Sequence, residues 1–160
     1  MPQRTIVLGV GNTLLTDDGV GVHAIRDLQT RCGERSDLDL VDAGTLSFTL
    51  AASLEGHDGL IVIDAAELEA SPGTIGVFEG ITMDRFLAGN RKLSVHEVSL
   101  LDLLAMARLA NELPANRALI GIQPERVAWG EVPTATVAAA IPDVSRVALS
   151  LIERWNADAA

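Results

Sequence analysis

Cysteine and aromatic residues are scarce in this chain of 160 residues. Cys32 is the single cysteine, so an internal disulfide is impossible and cysteine usage gives no indication of secretion. Aromatic residues make up 3% of the chain and tyrosine is missing, so the core has to consist mostly of Leu, Val, Ile and Ala. A signal peptide is not expected, because Asp17 and Asp18 come too early. No apolar stretch is expected to reach the length of a membrane span, and we predict a cytoplasmic protein.

Basic residues are also few, 12 against 22 acidic ones, which gives a formal net charge of −10. This balance argues against nucleic acid and against an anionic membrane surface as partners, since both favour Lys and Arg. The hydrophobic share of 48% and the charged share of 21% are ordinary for a globular protein. We predict a single domain over residues 1–160.

Apolar, β-branched runs alternate with stretches of helical period. Thr5–Val10 is predicted to be a buried strand, followed by strands at 38–41, 60–63, 74–78 and 117–122. Gly76 interrupts the fourth of these, which indicates an edge strand. Repeated βα units predict a three-layer α/β domain. Its sheet is expected to be twisted, mainly parallel and of about five strands, with helices on both faces.

Helices are predicted from residue 20 to Gly33, over 45–54, 94–111 and from Thr134 to about Trp155. Ser94 and Glu97 have the spacing of a capping box, and the helix after them is apolar nearly all round, which predicts deep packing. Thr134 is expected to cap the last helix, and Pro142 to kink or restart it. Residues 80–93 have no clear period and are predicted to be a mobile, partner-facing segment.

Acidic residues follow three of the predicted strands. Asp17 and Asp18 come after the first, Asp42 after the second and Asp64 after the third, and His96 lies in the first turn of a predicted helix. In open α/β sheets, functional groups collect beyond the carboxyl ends of the strands. Carboxylates and an imidazole around one position suit a divalent transition metal, and a cation would relieve their mutual repulsion. The sequence therefore favours a cation site at this edge.

Each of these residues also has a purely structural explanation. Asp18 could cap the helix that begins nearby, and Asp64 could bond to its own turn. Asp42 fits turn chemistry better than catalysis. His96 could be an exposed residue of a first turn. Elsewhere in the chain, solvated surface positions are expected for His23 and His57.

Five short motifs occur in order along the chain: GVGNTLLTDDGVG at 9–21, DAGT at 42–45, IDA at 63–65, SVHE at 94–97 and GIQP at 121–124. This succession resembles the hydrogenase maturation endopeptidases, over residues 5–152. The resemblance implies a protease that removes a C-terminal extension from the large-subunit precursor of a [NiFe] hydrogenase after nickel insertion. It also implies that the nickel is carried by the precursor and is recognised there.

The resemblance assigns the metal ligands to Asp18, Asp64 and His96 and requires no organic cofactor. Asp17 and Asp42 are candidates for a general base, and a monomer is expected. One alternative is a non-catalytic chaperone that senses the metal in the large subunit. Another is a nucleotide-binding domain, because Gly9 and Gly11 imitate part of a dinucleotide fingerprint. Leu14 occupies the third glycine position of that fingerprint, and the aspartates would repel a pyrophosphate.

Overall fold

A mixed five-stranded sheet forms the centre of the molecule, as seen in a computed structural model that describes residues 3–89 and 99–160. The strand order is β2-β1-β3-β5-β4, and β4 alone runs antiparallel, against β5 at the edge. The predicted α/β class, the mainly parallel sheet and the edge position of the fourth strand are confirmed. The strands are β1 Thr5–Val10, β2 Leu38–Gly44, β3 Gly59–Ala65, β4 Ile75–Glu79 and β5 Asn116–Ile122.

Helices cover both faces of the sheet. Alternate side chains of a strand point to opposite faces. Val7 and Ile61 therefore pack on the side of α1 and α5, and Leu8 and Val62 pack on the side of α2, α3 and α4. Two apolar layers on one sheet explain why β1 is buried along its whole length. The helices are α1 Val20–Cys32, α2 Leu50–Ser53, α3 Ile81–Gly89, α4 Leu100–Leu109 and α5 Ala135–Ala159.

The segment predicted to be mobile is a helix over most of its length. Residues 81–89 form α3 and Gly80 before them lies in a turn, while 90–93 lie outside the described residues. Met83 of α3 is fully buried in the core, and Phe86 stacks on Phe78 of β4 with ring centroids 4.0 Å apart. These contacts with other elements stabilise a helix whose own apolar period is weak.

The helix before β5 begins later than predicted. The expected capping box at Ser94 and Glu97 lies outside the described residues, and α4 begins at Leu100 with Ser99 as its N-cap. The Ser99 hydroxyl accepts from the Asp102 N–H at 3.1 Å, and the Asp102 carboxylate accepts from the Ser99 N–H at 3.2 Å. This capping box of Ser99 and Asp102 was not identified from the sequence. Burial of α4 is one-sided, since Leu109 is 90% exposed.

The last helix, α5, is longer than predicted and continues through Pro142 without restarting. By length and composition it could cross a membrane, so the expectation that no stretch reaches that length is wrong. Its apolar face packs against α1 and the sheet, with Val144, Ala148 and Trp155 buried. A core helix of a soluble protein passes the same length test, so α5 is weak evidence for a span. The second helix, α2, covers only four residues of the predicted 45–54.

Candidate functional site

The carboxyl ends of β1, β2 and β3 form one edge of the sheet, and the four aspartates named as candidate site residues lie there. Gly9 of β1 pairs with Asp42 of β2 on one side and with Ile63 of β3 on the other. Asp64 follows Ile63 directly, and a 3₁₀ turn over Thr16–Gly19 carries Asp17 and Asp18 beyond the end of β1. This turn packs against β3. The structure thus brings the turn with Asp18 next to the strand with Asp64.

Two glycines allow this close approach. Gly11 has a φ of +133°, and a Cβ there would overlap the carbonyl oxygen of Asp18. A Cβ on Gly21, in the first turn of α1, would overlap the carbonyl oxygens of Ile63 and Val10. Side chains at these positions would push the turn and the start of α1 away from the strand ends.

Asp18 is half-buried, and its carboxylate bonds within its own turn. The Asn12 N–H donates to Oδ2 at 2.9 Å. The N-cap of α1 is Gly19, which has no side-chain capping bond. The alternative in which Asp18 caps this helix is therefore wrong, and the hydrogen bond from Asn12 orients the carboxylate instead.

Asp17 is fully buried, and both of its carboxylate oxygens accept hydrogen bonds. The N–H groups of Glu125 and Arg126 donate to Oδ2 at 2.9 Å each, and the Thr134 N–H donates to Oδ1 at 2.7 Å. The Thr134 hydroxyl also donates to this carboxylate. Burial by itself raises the pKa of Asp17, but these hydrogen bonds outweigh burial and hold the pKa below its usual value.

The environment of Asp17 does not fit the general base that it was a candidate for, because its oxygens are occupied and inaccessible. The same environment explains why the Thr134 side chain makes no capping bond, although Thr134 is the N-cap of α5. Its hydroxyl donates to Asp17, so the predicted capping role of the Thr134 side chain is wrong.

Asp42 is exposed and closes a turn at the end of β2. Its Oδ1 accepts from the Gly44 N–H at 3.0 Å, and Gly44 has a φ of +49°. This is the turn chemistry that the sequence favoured for Asp42 over catalysis. The carboxylate is nevertheless open to solvent at the same edge as Asp64.

Asp64 is half-buried near the end of β3 and pairs with Gly121 of β5. It shares a strand face with Val62, which packs on the side of α4. The loop after β3 is held by Gln123, whose Oε1 accepts from the Leu68 N–H at 2.7 Å. The Gln123 Nε2 donates to Glu67 at 3.1 Å. The GIQP motif contained Gln123, but sequence reasoning assigned it no role.

His96 lies outside the described residues, so the structure does not describe the geometry of a three-ligand set that includes it. Within 3–89 and 99–160, no three or more His, Cys, Asp or Glu residues are grouped as a metal ion would require. The direction of α4 is clear, because Arg108 near its end and Arg117 at the start of β5 both bond to Asp84. The end of α4 thus lies toward the amino edge of the sheet. Its start, Ser99, lies roughly 15 Å back along the helix, toward the carboxyl edge.

The other two histidines are not solvated as predicted. The His57 side chain is 7% exposed, and its Nε2 lies 2.6 Å from Oδ2 of Asp39. This hydrogen bond, with a smaller contribution from Arg4, holds the pKa of Asp39 below its usual value. His23 has a buried Nε2, and burial lowers the pKa of its imidazole. His57 and Asp39 lie near the starts of β3 and β2, at the edge opposite to Asp64.

Comparison with known proteins relates the chain to one family. The family described as hydrogenase maturation protease matches residues 22–151. The hydrogenase expression/formation protein HupD of Rhizobium leguminosarum bv. viciae is 33% identical over 154 residues, which cover 96% of this chain and 76% of HupD. The hydrogenase 2 maturation protease of Escherichia coli K12 is 32% identical, over 94% of this chain and 92% of that protease.

Solved structures show the same relationship. The hydrogenase maturating endopeptidase HybD from E. coli superposes with a TM-score of 0.86 at 30% identity, covering 94% of this chain and 93% of HybD. The [NiFe] hydrogenase maturation protease HybD from Thermococcus kodakarensis superposes with a TM-score of 0.75 at 25% identity, covering 93% of this chain and 99% of that one.

Proposed function

Because the chain belongs to the hydrogenase maturation protease family, we propose that it cleaves the large-subunit precursor of a [NiFe] hydrogenase once nickel has been inserted. The reaction removes the C-terminal extension of the precursor. Water adds to the scissile carbonyl carbon, the C–N bond breaks and the leaving amine takes up a proton. The proposed enzyme acts as a monomer in the cytoplasm and uses no organic cofactor.

The observation that carries this proposal is the placement of Asp18 and Asp64 at neighbouring strand ends. The turn with Asp18 packs against the strand with Asp64, and both residues are half-buried at one edge of the sheet. His96, three positions before the N-cap Ser99, is the third proposed ligand. Its assignment rests on the SVHE motif and on the direction of α4. Carboxylates and an imidazole suit a divalent metal of borderline softness such as nickel.

In this proposal the nickel belongs to the substrate, and these three side chains complete its coordination. A precursor without nickel offers the carboxylates no cation, so it binds weakly and dissociates uncut. The difference in affinity between the two precursors is what makes cleavage follow nickel insertion. Asp42 remains a candidate base because its carboxylate is exposed at the same edge, whereas Asp17 has a structural role.

The test is to incubate the protein with nickel-loaded and nickel-free precursor and to follow the intact mass of the precursor. We expect loss of a C-terminal peptide only from the loaded form. Removal of a metal ligand, by Asp18→Asn, Asp64→Asn or His96→Ala, is expected to slow processing about a hundredfold or more, since even outer-shell partners of a metal contribute roughly 10–100-fold. Far-UV circular dichroism should show that each variant is folded.

Asp158→Asn is the matched control. Asp158 is an exposed carboxylate near the end of α5, and Asn156 beside it bonds to Gln3 before β1, at the opposite edge. This variant should process the precursor at the wild-type rate. Cleavage regardless of nickel would contradict the metal recognition, and binding without any cleavage would favour the chaperone alternative. Stabilisation by nucleotides in a thermal shift assay would favour the nucleotide-binding alternative.

A further inference from the structure

Four apolar side chains are exposed beside the turn that carries Asp18. Trp129 is 82% and Val132 71% exposed, and Leu14 and Val127 are about half exposed. We call these four residues the Trp129 face. Leu14 is four positions before Asp18, and the other three come from the segment between β5 and α5. Contiguous exposed apolar residues on a globular protein mark sites of interaction.

The two segments of the Trp129 face are held together by hydrogen bonds. The Gly130 N–H donates to the Leu14 carbonyl at 2.9 Å, and the Thr16 N–H donates to the Gly130 carbonyl at 2.8 Å. The Thr16 hydroxyl donates to the Arg126 carbonyl at 2.6 Å and accepts from the Ala128 N–H at 3.1 Å.

The buried carboxylate of Asp17 adds bonds from Glu125, Arg126 and Thr134. Trp129 is therefore exposed on a segment that is fixed relative to Asp18. A surface that is already ordered loses little conformational entropy when a partner binds, which raises its affinity.

We propose that the Trp129 face is a docking surface for the folded large-subunit precursor and that it orients the precursor's nickel toward Asp18. This inference rests on the function proposed above. The choice of occupant follows from the closeness of Leu14 to Asp18, because both bond to Asn12. The Leu14 N–H donates to the Asn12 Oδ1 at 2.9 Å, and the Asn12 N–H donates to Asp18 at 2.9 Å. A partner whose metal reaches Asp18 would therefore also lie against Leu14. An anionic lipid surface fits less well, since the chain carries a net charge of −10.

The test measures the affinity of Trp129→Ala and Val132→Ala variants for immobilised, nickel-loaded precursor, with cleavage followed in parallel by mass. Tryptophans that a partner covers are frequent interaction hot spots, so we expect Trp129→Ala to bind the precursor about thirtyfold more weakly. Leu109→Ala is the matched control, because Leu109 is 90% exposed at the end of α4, toward the opposite edge. It should bind like the wild type.

Equal affinities of Trp129→Ala and Leu109→Ala would overturn the docking surface. Binding is measured apart from cleavage, so the two proposals fail in different ways. Wild-type binding that depends on Trp129, without loss of a peptide, would contradict the peptidase function and leave the surface standing. A wild-type dimer that dissociates on Trp129→Ala would show that a second copy occupies the face, and this too would overturn the proposal.

Discussion

Asp17 and Asp18 are adjacent in the chain but have opposite environments. Asp17 is fully buried and accepts from three backbone N–H groups and a hydroxyl, whereas Asp18 is half-buried and accepts from Asn12. A carboxylate that is saturated with donors is stabilised in its charged form and is a poor base and a poor metal ligand. Under the proposed function, the metal ligand in this turn is therefore Asp18, while Asp17 holds the turn in place through its hydrogen bonds.

A substitution at Asp42 can decide whether this residue only closes its turn or also acts as a general base. The amide introduced by Asp42→Asn keeps an oxygen that can accept from the Gly44 N–H, but it cannot take up a proton. We expect this variant to process nickel-loaded precursor within about threefold of the wild-type rate, because side-chain bonds to the backbone in such turns are made by Asn and Asp alike. Measurement of kcat and KM by intact mass checks this. A kcat at least about a hundredfold lower, with KM unchanged, would identify Asp42 as the general base.

At the scale of elements, the important connection joins the 3₁₀ turn after β1 to the segment before α5. Asp17 and Thr16 bond to residues 125–134, which are more than 100 positions away in the chain. The glycines at 11 and 21 let the same turn lie against β3. The turn is thus fixed on two sides, by β3 and by the segment that carries Trp129.

The contribution of this connection to stability can be measured with Asp17→Asn. An amide presents a donor to backbone N–H groups that need an acceptor, so we expect a loss of about 3 kcal/mol in the free energy of unfolding at pH 7. Urea titration measures it. The exposed Asp143 of α5 gives the control Asp143→Asn, which should change this free energy by less than about 0.5 kcal/mol.

The contribution of Asp17 to the free energy of unfolding should decrease as pH falls. Its pKa in the folded protein lies below the ordinary value of 3.8, so its stabilising contribution is complete above that value and disappears as pH falls through the lower, folded pKa. The difference between the wild type and Asp17→Asn should be constant from pH 7 to pH 5 and shrink below pH 3.8. A difference that persists unchanged in acid would contradict the charged hydrogen bonds.

At the scale of the whole molecule, the two apolar layers share a single sheet. Trp155 near the end of α5 is 5% exposed and packs where α5 meets the start of β3, within contact of the backbone at Gly59. Strands β1, β3 and β5 contribute side chains to both layers. Because the same strands carry both layers, loss of the packing on one face would destabilise the strands that support the other face. We therefore expect the chain to unfold as one unit, as a single domain would.

Trp155 is the natural probe of this prediction, since the chain has two tryptophans. In a Trp129→Phe variant the fluorescence reports only on Trp155. We expect the urea transition followed by this fluorescence to coincide with the transition followed by far-UV circular dichroism, as in a two-state domain. Two separated transitions would show that residues 1–160 do not form one cooperative unit.

Much of this architecture could be predicted from the sequence because it depends on local patterns. Apolar β-branched runs specified the strands, with β1 predicted to the residue, and their alternation with helical periods specified a mainly parallel sheet. Parallel strands end at the same edge, so the positions of Asp18, Asp42 and Asp64 followed from the strand ends alone. The succession of motifs was specific enough to indicate the family.

Other features were decided by contacts between residues distant in the chain. Asp17 and Asp18 have the same local signature, and only the donors at 125–134 bury one and leave the other accessible. Thr134 has the sequence of a cap, yet its hydroxyl bonds to a carboxylate 117 positions away. Residues of α3 fold as a helix because Met83 and Phe86 pack on the core. Burial and long-range hydrogen bonds are properties of the folded chain, so no local pattern could determine them.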